Sequence, residues 1–298
     1  MMRRSSDSPA AADAACVGHH LCAASEPGSL AMSLSSPQQY SFQGRSPSVA
    51  ARPGRADPST EDPMTSPLST PTDAPAPLIT VDVWTDVVCP WCYVGEARLH
   101  EAIEAEGLTD QVEVRAHSFE LDPASPVGGE QDNIGHLVRA KGMPEATVRE
   151  MEEQIRAMAQ ELGREYAIER PMANTRGIHR VMQALGEARG VDAATEFFLD
   201  LQRDYFTGAA NPFEAATVTG RAVAAGLDEQ IARTAYEGVS HDGAVEAEVR
   251  EAASMGARGV PFFLFNDKYT APGALPTDAF RQALRQIADE ARAERGQA

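Results

Sequence analysis

Cys89-Pro90-Trp91-Cys92 sets two thiols three residues apart, directly after the apolar run Leu78-Ile79-Thr80-Val81-Asp82-Val83-Trp84. Thiol–disulfide exchange needs this arrangement. If the run is a buried strand and Pro90 opens a helix, the first sulfur lies among unpaired backbone N–H groups at the positive end of the helix dipole. Both favour the thiolate, which is the nucleophile. The second thiol, one helical turn on, can attack a mixed disulfide and release its product. Cys89 is thus the candidate attacking thiol and Cys92 the resolving thiol. Pro90 and Trp91 form the loop between them, with Trp91 expected to point outward as a platform for substrate or a shield.

A C-x-x-C pair is also half of a structural zinc site. Such a site needs a second ligand pair, and the only other cysteines are Cys16 and Cys22, in a stretch that does not look folded. The run Cys16-Val17-Gly18-His19-His20-Leu21-Cys22 gathers two Cys and two His, but nothing around them would preorganise the ligands. Redox chemistry without a metal is the expectation.

The elements that must position the thiols are legible nearby. Ile79, Val81 and Val83 alternate with Thr80 and Asp82, as in a strand. Pro90 suits the first helical position, where its missing N–H costs nothing, and this puts Cys89 at the N-cap. Leu99 and Ile103 continue the helical face, and Gly107 is a C-terminal stop. Val112–Ala116 reads as a second strand, and strand–helix–strand implies a parallel pair with a right-handed crossover. Residues 124–133 read as loop.

From about 134 to 257 the pattern is helical throughout. Pro144 opens a helix with Val148, Met151, Ile155, Met158 and Leu162 on one face. Asn174-Thr175 caps the next, with Ile178, Val181, Met182 and Leu185 inward. A third carries Phe197, Phe198, Leu201 and Tyr205; a fourth starts near Pro212 with Asn211 as N-cap. Then Phe262–Phe265 reads as a buried strand, Asn266-Asp267 as a turn, Lys268–Ala271 as its hairpin partner, and Pro276 as the start of a last helix with Phe280, Leu284, Ile287 and Ala291 on one face. The order resembles that of a thioredoxin fold, an α/β βαβ…ββα unit, interrupted by a large all-helical insertion. Residues 78–123 and 258–298 are expected to form the thioredoxin-like domain and 124–257 the insertion.

Pro261 at the head of the Phe262 strand lacks a backbone donor. It reads either as a trans proline at a strand start or as a cis proline in a tight turn. A cis Val260–Pro261 bond beside the thiols would keep cationic side chains and metals away from the sulfurs. It would also offer the Val260 backbone to an extended substrate peptide.

Composition bounds the rest. Residues 1–77 hold 11 of the 20 prolines and only two aromatics, Tyr40 and Phe42. That stretch is expected to be a disordered Pro/Ser/Ala-rich tail, with Met32 or Met64 as candidate translation starts. The net charge of −18 resides almost wholly in the remainder, which argues against nucleic acid or an anionic membrane as partner. The longest apolar run is too short to span a bilayer, and Ser5–Ala15 is too polar for a signal-peptide core. Two cysteines in one motif, with no stapling framework, fit a reducing compartment. The expected location is cytoplasmic.

C-P-W-C after an apolar strand, S-F-E-L-D-P at 118–123, A-N-T at 173–175 followed by His179, and G-V-P-F-F at 259–263 together resemble the DsbA-like disulfide oxidoreductases, within them the cytoplasmic FrnE-like subgroup. The resemblance spans about residues 79–295. It implies Cys89 as attacking thiol, Cys92 as resolving thiol and Pro261 as the cis proline. Periplasmic relatives typically carry His where this chain has Trp91. Without that cation the thiolate loses a stabilising charge, so a weaker oxidant, suited to reduction or isomerisation, is expected.

Protein thiols and disulfides or small thiols are the implied partners, with a cytosolic reductant and glutathione as a candidate co-substrate; no other cofactor is expected. Two other readings compete. One is a glutathione-dependent isomerase of the 2-hydroxychromene-2-carboxylate type, in which Asn174 and His179 would line a small-molecule pocket. The other is a non-catalytic, chaperone-like peptide-binding module built on Trp91 and Pro261.

Overall fold

The computed structural model describes residues 43–44, 76–128 and 131–296. The tail expectation and the Cys16–Cys22 motif therefore lie largely outside the described residues. A two-residue strand, β1 (Gln43–Gly44), falls within that stretch. After it come β2 (Ile79–Thr85), α1 (Pro90–Ala105) and β3 (Val112–Ser118). The sequence continues with β4 (Gln131–Asp132), α2 (Asn133–Lys141), α3 (Glu145–Glu161), β5 (Pro171–Met172), α4 (Arg176–Arg189), α5 (Val191–Thr207), α6 (Ala215–Ala224), α7 (Glu229–Glu237) and α8 (Asp242–Ser254). It closes with β6 (Phe262–Phe265), β7 (Tyr269–Pro272) and α9 (Thr277–Gly296).

The main sheet runs β1-β7-β6-β2-β3. β2 and β3 are parallel, joined through α1, while β6 lies antiparallel to β2 and β7 to β6. This is a thioredoxin fold with a mixed sheet, and the helices α2–α8 are inserted between β3 and β6. No helix among the described residues is long and apolar enough to cross a membrane.

Alternation sorts β2 between two cores. Ile79, Val81 and Val83 pack with Leu99, Ile103, Phe280 and Leu284 from α1 and α9. Trp84 faces the other way, toward Ala252 of α8. The inserted helices bury Ile178, Val181, Met182 and Leu185 of α4 against Phe197, Phe198 and Leu201 of α5. That core continues into Val87, Val88, Tyr93 and Val94, so the turn carrying the thiols rests on the insertion.

Punctuation residues act as their chemistry dictates. Gly107, at φ +64, closes α1: its N–H bonds Glu104 O and that of Leu108 bonds Ile103 O, a Schellman pair. Asn266 and Asp267 both take positive φ (47 and 54), as the two-residue hairpin turn requires.

Two expectations are corrected. The region after 134 is not helical throughout, because β4 and β5 pair antiparallel, Gln131 with Met172. Two residues are too few to show a period. The pair is held instead by Asn133, whose side chain donates to Ile168 O and accepts from Arg170 N. The helix expected near Pro212 starts at Ala215. Asn211 first caps a turn, accepting from Phe213 N at 3.0 Å, which lets Phe213 pack against the helical core.

A buried polar clamp ties the sheet to the insertion. His117 of β3 reaches Asp82 of β2 through Nε2 (2.7 Å) and Glu248 of α8 through Nδ1 (2.8 Å). Glu248 also accepts from Ser118 N and from Gln183 of α4. Trp84 stacks on the imidazole at 4.7 Å and donates to Glu248 O. Burial opposes a charged ring here, but the hydrogen bonds and charges of Asp82 and Glu248 outweigh it and push the His117 pKa up to about 9. For Glu248, burial opposes ionisation, but the His117 contact outweighs it and holds the carboxyl below its ordinary value.

A raised histidine pKa stabilises the fold fully below its ordinary value of about 6.5, and that contribution is lost as pH climbs through about 9. Denaturant titrations are therefore expected to show stability falling between these pH values in the wild type, with a flatter profile in His117→Gln. Glu248→Gln, which leaves the buried imidazolium with Asp82 as its one carboxylate, is expected to cost about 3 kcal/mol near neutral pH.

Candidate active site

β2 ends at Thr85 and the chain turns through Asp86-Val87-Val88 before α1 starts at Pro90. The turn is held from behind by residues that sequence reasoning missed. Gln202 of α5 donates to Asp86 O at 3.0 Å and reaches Thr85 Oγ1 at 3.5 Å. The Asp86 carboxylate accepts from Leu121 N at 2.8 Å. Asp86 O accepts from Cys89 N, which fixes the cysteine at the helix entrance.

Cys89 is the N-cap of α1, with extended backbone, and its Sγ accepts the Cys92 N–H at 3.3 Å. Its thiol also faces Val260 O at 3.6 Å. Both cysteines are free and both are buried, Cys89 at 2% and Cys92 at 1% exposed, but only Cys89 lines the adjoining cavity. Burial first, then the hydrogen bond and charge of Cys89, push the Cys92 pKa well above its ordinary value. The Thr85 hydroxyl and the Asp86 backbone N–H act in the opposite sense. Cys92 therefore holds its proton while Cys89 sits where a helix solvates negative charge. Trp91 between them is 42% exposed.

The Val260–Pro261 bond is cis, and β6 delivers it across from the thiols. Gly95, one turn into α1, permits that approach: a Cβ there would lie 3.1 Å from Pro261 Cγ and 3.2 Å from Ala274 Cβ. A glycine inside an otherwise ordinary helical run was the available signal.

A cavity of about 520 Å³ opens beside Cys89. Pro90, Trp91 and Val260 form one wall, and Met151, Ile155 and Tyr205 from the inserted helices form the other. A larger hollow of about 740 Å³, between Glu96 of α1 and Leu199 of α5, includes neither thiol.

Asn174 and His179 lie apart from this cavity. The Asn174 side chain accepts from Arg176 N and donates to Pro123 O, closing the entry to α4. Asn174 lines a separate hollow of about 250 Å³. His179 is wholly buried behind the turn, stacked on Phe198, with Nε2 3.5 Å from Asp86.

A family model for the DSBA-like thioredoxin domain matches residues 80–285. Among solved structures, a probable DsbA oxidoreductase from Streptomyces coelicolor is 33% identical, with 71% of this chain and 91% of that one covered and a TM-score of 0.65. A candidate protein disulfide isomerase from Nitrosomonas europaea is 18% identical, covering 71% of this chain and 98% of that one at a TM-score of 0.53. A 2-hydroxychromene-2-carboxylate isomerase is 14% identical, covering 74% and 99% at 0.51. At these two lower identities the likeness is one of fold. No curated protein matches the chain.

Two outcomes follow from the geometry. In the reduced protein at neutral pH, iodoacetamide should modify Cys89 at least about tenfold faster than Cys92, read by peptide mass mapping. Gly95→Val should force Pro261 away from the thiols and slow disulfide exchange by about tenfold to a hundredfold, with helix content by circular dichroism retained.

Proposed function

Because the chain belongs to the family of DSBA-like thioredoxin domains, we propose that it is a thiol–disulfide oxidoreductase in which Cys89 attacks and Cys92 resolves. The observation that carries this is the asymmetry of the pair. Both are buried, but one sulfur caps a helix, accepts a backbone N–H and lines a cavity, while the other lies one turn behind it with its pKa pushed up.

The Cys89 thiolate attacks a substrate disulfide, forming a mixed disulfide and expelling one substrate thiolate. Cys92 then loses its proton, attacks Cys89 Sγ and releases the second substrate thiolate. Thr85 and the Asp86 backbone N–H offset part of the cost of charging Cys92 at that moment. The Val260 backbone, directly opposite Cys89, pairs with an extended substrate.

Trp91 brings no positive charge to the loop, so the dithiol is a weaker oxidant than relatives with histidine there. This supports a FrnE-like role in reduction or reshuffling of disulfides in the cytoplasm. Protein thiols and disulfides are the partners, and a small thiol such as glutathione is the electron donor. The isomerase alternative has less support, since Asn174 and His179 serve the entry to α4 and the back of the turn.

Cys92→Ser should accumulate mixed disulfides on Cys89 and stop turnover of a protein disulfide, whereas an isomerase or holdase would keep its activity. Titration of the wild-type dithiol against glutathione should give a potential clearly more reducing than the about −120 mV of DsbA. A value as oxidising as that would overturn the reductive assignment.

A further inference from the structure

The cavity beside Cys89 combines an apolar lining with a positive charge, which dithiol exchange alone does not require. Its walls are apolar where Leu137, Met151 and Ile155 line it. Its volume of about 520 Å³ falls in the range that holds a small organic molecule. Four of its charged or titratable side chains are matched in pairs. Arg170 meets Glu152 at 2.9 Å, and His136 meets Asp122 at 3.3 Å. Lys141, at the end of α2, lines the cavity with no ion-pair partner among the described residues. In a chain of net charge −18 with only two lysines, Lys141 brings an exposed positive charge to the cavity that Cys89 also lines.

The inner part of the cavity is closed by Tyr205 and Arg170. Both are buried, with Tyr205 Oη and Arg170 Nε themselves shielded beneath the cavity surface. Burial, partly countered by the nearby Arg170, pushes the Tyr205 pKa up to about 12, so the hydroxyl stays a donor at neutral pH.

We infer that this cavity binds the body of a small organic disulfide, apolar or aromatic in character and bearing a carboxylate, so that its sulfur meets Cys89. The carboxylate meets Lys141, and the body packs against Leu137, Met151 and Ile155. This rests on the dithiol reading above and specifies its substrate class. The step balances within one turnover. Cys89 displaces one R–S⁻ from R–S–S–R; Cys92, deprotonated to solvent, displaces the second. The substrate is reduced by two electrons to two thiols, and the protein is left with a Cys89–Cys92 disulfide.

The test uses the full chain, reduced, in stopped-flow single turnovers with three probes: an aromatic bis(nitrobenzoate) disulfide, a neutral dipyridyl disulfide and the small hydroxyethyl disulfide. Two variants lie at exposed positions and should fold: Ala140→Trp, which fills the cavity, and Lys141→Glu. Ala140→Trp should lower the ratio of aromatic to hydroxyethyl rates by about tenfold, the scale of excluding one buried ring. Lys141→Glu should lower the ratio of nitrobenzoate to dipyridyl rates by about fivefold at low salt, and less at high salt.

Unchanged ratios in both variants would overturn the inference while leaving the dithiol reading intact. Equal slowing of insulin reduction would assign the cavity to polypeptide instead and likewise overturn it. Failure of all three probes to form the Cys89–Cys92 disulfide in the wild type would overturn the dithiol reading itself.

Discussion

One hydrogen bond organises this molecule: the Cys92 N–H given to the sulfur of Cys89 at the entrance of α1. A helix must satisfy its first N–H groups, and oxygen-bearing side chains usually do so. Here a sulfur occupies that place, so the unmet need of the helix becomes a means of solvating negative charge on a nucleophile. The arrangement requires a strand that ends within a few residues of the cap, a proline that enters the helix without a donor, and a second thiol on the inner side of the first turn. Each is present in the stretch from Ile79 to Cys92.

The remainder of the structure keeps that turn in place and gives it a second wall. The sheet supplies Val260 and Pro261 from a strand that lies more than 160 residues along the chain yet directly beside β2. The helical insertion supplies Gln202 behind the turn and the far side of the cavity. The two halves are joined through the His117 clamp, where a charged ring is shared by two carboxylates and covered by Trp84. A buried charge network of this kind adds little net stability against an apolar core, but it tolerates few alternative arrangements. It therefore supports a defined placement of α8 and, through Gln183, of α4 against the sheet.

The sequence carried the local half of this account and concealed the other half for a physical reason. Pro90 and Gly107 mark the two ends of α1 because backbone stereochemistry demands them there. The stripes of α4, α5 and α9 are visible because burial imposes a period. Polar contacts across a hundred residues impose none, so Gln202 and the His117–Glu248 pair left no pattern. β4 and β5 are too short to alternate, and Asn211 was a cap signal spent on a turn. His179 stood out as a histidine in a motif, yet its side chain is packed on Phe198 behind the turn and away from the cavity.

The central claim is that the two thiols, both buried, are unequal because one caps the helix and lines the cavity while the other lies behind it. Its most direct measurement is to mix the reduced wild-type protein with a peptide disulfide, quench with acid within the first turnover, and map the mixed disulfide by mass spectrometry. The account predicts that the peptide is found on Cys89 alone, with Cys92 free or already paired to Cys89. A peptide attached to Cys92, or shared between the two, would contradict it.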